Sequence, residues 1–153
     1  MRVTREVPIG APPGALWDLL WDVSRIVACV PGCDEAREIE AHRRYAARMT
    51  QKVGPIRFTV PLDVVVAEAT APRHLALDAR GRDPAIGAEI VMRVALDIEA
   101  RGEASLLRID AEGRILGKLG ALGHGVIERK AAEAVEEFGA RLQRIAGGGA
   151  PAS

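Results

Sequence analysis

Groups that do chemistry are scarce in this chain of 153 residues. The two cysteines, Cys29 and Cys33, flank Val30-Pro31-Gly32, a spacing unlike the C-x2-C of zinc sites and thioredoxin-type motifs. No second half-site follows, so both read as small, semi-buried thiols. The histidines (His42, His74 and His124) are scattered, and Ser24, Ser105 and Ser153 are the only serines. No nucleophile, base and orienting group stand at a spacing that suggests a triad, so no catalytic residue and no metal is assigned. An excess of charge is missing too: 21 basic residues balance 21 acidic ones. Bulk charge therefore draws this chain neither to nucleic acid nor to an anionic membrane. No apolar run is long enough to span a bilayer, and the charged, strand-like beginning has no signal-peptide pattern, so a cytoplasmic protein is expected.

Aromatic residues are also few, namely Phe58, Phe138, Tyr45, Trp17 and Trp21. Small and medium aliphatic side chains must fill the core, and they can leave an apolar void that a hydrophobic molecule would occupy.

What the chain has in plenty is alternation. Residues 56, 58, 60, 62, 64 and 66 are Ile, Phe, Val, Leu, Val and Val, while 57, 59, 61 and 63 are Arg, Thr, Pro and Asp. Residues 90, 92, 94, 96 and 98 are all apolar against Arg93, Asp97 and Glu99, and Leu107, Ile109 and Ile115 continue the pattern. Strands are predicted over 1–9, 36–40, 45–53, 56–67, 73–80, 88–99 and 104–116. Two short helices, 13–22 and 24–29, fall between the first and second strands, with Pro13 in a first turn and Ser24 as N-cap. Connections of a few residues demand antiparallel pairing. The last helix runs to about Ile145, and residues 147–153 read as a flexible tail after a single domain, 1–146.

A run of glycines, Gly117, Gly120, Gly123 and Gly125, leads into that helix. Each glycine inside a helix costs roughly 1 kcal/mol relative to alanine, so the run needs a reason. Val135, Phe138, Leu142 and Ile145 are bulky enough to fill a core, whereas the glycine end leaves room for a ligand, a loop or a partner. The turns at 30–33, 53–55, 81–87 and 113–118 should all fall at this same end of the sheet. They define a mouth of Pro31, Gly32, Gly54, Pro55, Gly81, Gly117, Lys118 and Gly120. Behind it, Met49, Phe58, Leu62, Ile90, Met92 and Leu107 from the strands face Leu119, Leu122, Gly123 and Val126 from the helix side. These are the candidate ligand-binding residues.

Other polar residues have plainer readings. His42 and His74 lie beside predicted turns and read as solvated surface, while His124 sits near the mouth. Asp18 and Asp22 are four apart on a helix and read as a solvated face. Arg129 with Glu133 and Glu137 with Arg141 are spaced for helical ion pairs.

Cys29-Val30-Pro31-Gly32-Cys33, Lys52-Val53-Gly54-Pro55-Ile56 and Gly117-Lys118-Leu119-Gly120-Ala121-Leu122-Gly123 resemble, in wording and order, the CoxG family. These are carbon monoxide dehydrogenase subunits within the SRPBCC or START-like helix-grip superfamily. The resemblance implies an α+β helix-grip fold: a curved antiparallel seven-stranded sheet wrapped around a long C-terminal helix. It also implies a hydrophobic-ligand cavity and an accessory role beside a molybdenum hydroxylase complex or its maturation factors. An isoprenoid quinone or other lipid is the leading ligand, with no covalently bound cofactor and with peripheral contact at the inner face of the cytoplasmic membrane. Arg80-Gly81-Arg82-Asp83-Pro84 departs from the family pattern and puts charge at the mouth. Two alternatives are a cyclase or hydrolase of the same superfamily, relying on Gln51 and Tyr45, and an interaction module with a filled core.

Overall fold

The computed structural model describes residues 1–85, 87–117 and 121–146, the side chain of His124 excepted. Lys118, Leu119, Gly120 and the expected tail, 147–153, lie outside the described residues.

The chain forms β1 (Arg2–Ile9), α1 (Pro13–Leu20), α2 (Val23–Cys29), β2 (Cys33–Glu40), β3 (Arg44–Val53), β4 (Ile56–Thr70), β5 (His74–Asp83), β6 (Ala88–Arg101), β7 (Ala104–Gly117) and α3 (His124–Ile145). The strands make one antiparallel sheet in the order β1-β7-β6-β5-β4-β3-β2. β1 and β2 therefore occupy opposite edges, and the two short helices carry the chain between them. Helix α1 packs on β6 and β7, and α2 on β2 and α3. Helix α3 touches β1 and β7 on one side and β3 on the other, which requires the sheet to curl around it.

Strand parity decides what the helix meets. Val3, Val7, Ile9, Phe58, Val60, Ile90, Ile98, Leu107 and Ile109 are buried on the concave face. On the convex face arginines pair with carboxylates: Arg2 with Asp110 at 2.7 Å, Arg44 with Asp63 and Arg48 with Asp34 at 2.8 Å, and Arg93 with Asp78 at 2.9 Å. Such exposed pairs contribute tenths of a kcal/mol each, so they set strand register and solubility more than stability.

Three local expectations change. Asp22, not Ser24, caps α2, its carboxylate accepting from the Arg25 N–H at 3.4 Å. Of the two helical pairs expected on α3, Arg141 with Glu137 forms at 3.1 Å, and no Arg129–Glu133 pair is found among the described residues. Gly81 and Gly113 lie inside β5 and β7 rather than in turns.

His74 is held by partners rather than merely solvated. Its Nδ1 lies 2.6 Å from Asp97 and its Nε2 3.1 Å from Glu68. The hydrogen bond to Asp97 is the largest influence and raises its pKa above the ordinary imidazole value; burial opposes it, and the charge of Asp97 with the hydrogen bond and charge of Glu68 add to the rise. A histidine whose folded pKa is raised stabilises the fold fully below its unfolded pKa, near 6.5, and loses that contribution as pH rises through the folded value. The thermal-midpoint advantage of the parent over His74→Gln should therefore be largest near pH 5 and shrink toward pH 9; an advantage that grows with pH would refute the pairing.

Candidate functional site

The turns expected to share one end of the sheet do so. The β3–β4 reversal after Val53, the β5–β6 reversal at 84–87, the end of β7 at Gly117 and the chain between α2 and β2 all lie at one end of the sheet. There the backbone approaches itself closely. The Thr50 N–H donates to the Gly32 carbonyl at 2.8 Å, and the Gln51 side-chain amide donates to the Pro31 carbonyl at 2.7 Å. Gly117 has φ +81°, and a Cβ built on it would overlap the Gly87 carbonyl oxygen. Gly54 turns with φ +58° into open space, and Pro55 beside it is exposed.

The glycine run does not weaken a helix as the sequence suggests. Gly117 ends β7, Gly123 is the N-cap of α3 with φ +103°, and among the described residues of the run only Gly125 is helical. The long helix begins later than expected, and it carries a different, unforeseen glycine. A Cβ on Gly139 would come within 2.8 Å of Val7 Cγ2, so this position lets α3 lie directly on β1.

The apolar interior divides in two. The main cluster unites Val7, Ile9, Leu16, Leu75, Leu96, Ile98, Leu107, Ile109 and Leu142, with Val135, Phe138 and Ile145 packed against it. The second cluster, under the first turns of α3, consists of Val53, Phe58, Val60, Ala88, Ile90 and Ile127, with Met1, Met49, Ile56, Leu62, Met92, Ile115 and Leu122 around it. The structure thus gathers Met49, Phe58, Leu62, Ile90, Met92 and Leu122 at the mouth end. Leu107 is fully buried in the main cluster instead, and Val126 points outward with 40% of its surface exposed. Val53, Val60, Ile115 and Ile127 belong with the gathered set and were missed, although the alternation of 56–66 and the pattern through Ile115 had already placed Val60 and Ile115 on the inward face. Gly81 faces this region: a Cβ there would meet Leu62 Cδ2 at 2.9 Å and Val60 Cγ2 at 3.0 Å, so its small size lets those side chains lean together.

Two open depressions lie at the surface. One, about 690 Å³, crosses the convex face of β5, β6 and β7 past Asp78, Val91, Arg93 and Arg114 to Met1 and Glu128, and Met92 of the second cluster lines it. The other, about 430 Å³, lies on the convex face around Ile39, Pro61, Leu62 and Arg82.

The two polar side chains the sequence offered for chemistry inside the grip are tied to backbone. Gln51 is tied to Pro31 as above, and the Tyr45 hydroxyl accepts from the His42 backbone N–H at 2.8 Å beside Trp21. Burial pushes the Tyr45 phenol up and the Cys33 thiol up to about 11, which keeps that sulfur protonated and unreactive at neutral pH. Cys29 is buried, its thiol donating to the Arg25 carbonyl at 3.4 Å. Among the described residues no cluster of three or more His, Cys, Asp or Glu side chains stands ready to hold a metal ion.

Solved structures share this architecture. A conserved protein from Geobacillus kaustophilus superposes with a TM-score of 0.83 at 17% identity, covering 94% of this chain and 93% of that one. A START superfamily protein from Mycobacterium smegmatis gives 0.70 at 10% identity, covering 95% and 96%. The Zhui aromatase/cyclase from a Streptomyces species gives 0.59 at 17% identity, covering 95% of each. No curated protein aligns closely enough to count as a match. The grip of a START-like sheet on α3, the glycine and proline turns at one end and the match of residues 6–146 to the model of CoxG, a carbon monoxide dehydrogenase subunit, show that the chain belongs to the CoxG family.

Proposed function

We propose that this chain is a non-catalytic carrier of a hydrophobic small molecule, acting as an accessory to a carbon monoxide dehydrogenase-type molybdenum hydroxylase. The observation that carries the reading is the second apolar cluster. It is separate from the main core, rich in adaptable methionine, and roofed by the first turns of α3, where Ile127 is the buried contact, whereas Leu142 anchors the other end. The side chains pack on one another here, so a ligand enters by lifting Leu122 and Ile127 while Leu142 and Gly139 keep the helix seated. An isoprenoid quinone or similar lipid suits a slot lined by Phe58, Ile90, Met49 and Met92. Among the described residues no helix is long and apolar enough to cross a membrane. In this reading the protein works in the cytoplasm and collects lipid by peripheral contact at the inner face of the membrane.

The aromatase/cyclase among the structural relatives makes an enzyme the second reading. Against it, the two polar side chains such a site would use, Gln51 and Tyr45, are each engaged with backbone. Solvent extraction of the purified protein after incubation with membranes, followed by mass spectrometry, should recover a quinone or lipid in near-stoichiometric amount. Met49→Trp with Met92→Trp should abolish that recovery while the fold persists. Recovery of nothing from the parent protein would sink the carrier reading and leave an interaction module.

A further inference from the structure

The zero net charge of the chain conceals an uneven convex face. Away from the mouth, Arg2, Arg44 and Arg93 each meet an aspartate across the sheet. Toward the mouth, Lys52, Arg57, Arg80, Arg82 and Arg114 are all exposed. None of the five makes an ion pair among the described residues, and Arg80 acts on Asp78 only at longer range.

Strand register spreads these cations along the mouth end of the face, from the β3–β4 turn across to β7. Lys52 stands directly opposite Arg57. Arg80 lies between Asp63 and Val91, and Val91 faces Arg114. Arg82 pairs with Glu89, whose other neighbour is Leu116, an apolar side chain with 42% of its surface exposed. Asp63 is already taken by Arg44 at 2.8 Å, which leaves Glu89 in these rows, while Glu112 and Glu128 border the depression beside Arg114. Like charges directly across a strand pair destabilise a sheet, so the Lys52–Arg57 juxtaposition is a cost that a partner would remove.

We infer that this cationic patch on the convex face, bordering the mouth turns, docks an acidic protein surface. Four of its five cations are arginines, whose planar guanidinium groups match carboxylates in paired hydrogen bonds, and the apolar Val91 and Leu116 among them suit a protein interface. A partner seated there reaches the rim through which the carried molecule would pass. The choice of probe rests on the function proposed above, whereas the patch itself does not.

The test uses the full-length protein and purified carbon monoxide dehydrogenase-type hydroxylase from the same organism, with binding read by biolayer interferometry. Reversing Lys52, Arg57, Arg80 and Arg82 to glutamate should weaken binding by at least about tenfold, and the parent's affinity should fall steeply between about 50 mM and about 500 mM salt. Arg108→Glu, on the same face at the opposite end, should leave binding unchanged. Should the reversed variant lose its native circular dichroism, glutamine at the same four positions, which removes charge but keeps polarity, takes its place and should still weaken binding several-fold. Absence of parent binding, or equal binding by the variant, overturns the inference. So does an unchanged affinity for the hydroxylase combined with loss of binding to phosphatidylglycerol vesicles, which would assign the patch to a membrane. Lipid recovery from the same variant separates the two proposals: a variant that keeps its lipid but not its partner leaves the carrier function intact.

Discussion

Leu142→Ala should lower stability by about 3 to 5 kcal/mol, whereas Ile127→Ala on the same helix should cost about 2 kcal/mol. Leu142 is fully enclosed by the main cluster, where α3, β1 and the short helices meet, so truncation leaves a cavity that surrounding side chains cannot collapse into. Ile127 sits in the second cluster among methionines and Leu122, which can move to fill a gap. Urea unfolding followed by circular dichroism measures both. Equal losses at the two positions would mean that α3 is seated uniformly, and the picture of one anchored and one yielding end would fail. Hydrogen exchange should show the same asymmetry, with amides near 127 exchanging faster than those near 142.

Gly117→Ala should destabilise by about 2 to 4 kcal/mol, far more than a change of one methyl group ordinarily does. The backbone φ of +81° is one source of strain, and the added Cβ would land on the Gly87 carbonyl, a backbone atom that cannot swing aside. The end of β7 and the start of β6 would have to separate, since Ala88 and Gly117 are register partners. Gly125→Ala is the contrasting variant. Nothing lies within 4 Å of its added Cβ, and the position is helical, so it should gain up to about 1 kcal/mol. Thermal melts of the two variants therefore move in opposite directions. A Gly117→Ala protein as stable as its parent would show that the close approach of these two strand ends is not needed.

These variants also show which parts of the molecule could be read without coordinates. Alternation at residues 56–66 and 90–98 is a property of neighbouring residues, and it announced the strands and their inward faces, while the short connections announced their antiparallel pairing. The wording around Pro31-Gly32, Gly54-Pro55 and Gly117–Gly123 carried the family, and with it the grip. The glycine run was legible as unusual, but its cause was not. A glycine in a helix, at a cap and at a strand end looks the same in a sequence, and only φ and the nearest atoms tell them apart. Gly139 escaped notice for the converse reason. Its meaning depends on Val7, far away along the chain and 2.8 Å away across the α3–β1 contact.

The candidate site was half legible in the same way. Inward parity marked Phe58, Leu62, Ile90 and Met92, but it marked Leu107 equally, because parity names a face and not a position along it. Distance along the strands, set by register with β6 and β1, sends Leu107 to the main core. By itself the sequence determined composition, periodicity and the zero sum of charge. The tertiary structure alone decided where charge goes unanswered, since a sum over the chain is blind to place. The fold pairs Arg2, Arg44 and Arg93 with aspartates on the convex face and leaves Lys52, Arg57, Arg80, Arg82 and Arg114 spread along the mouth end without such partners.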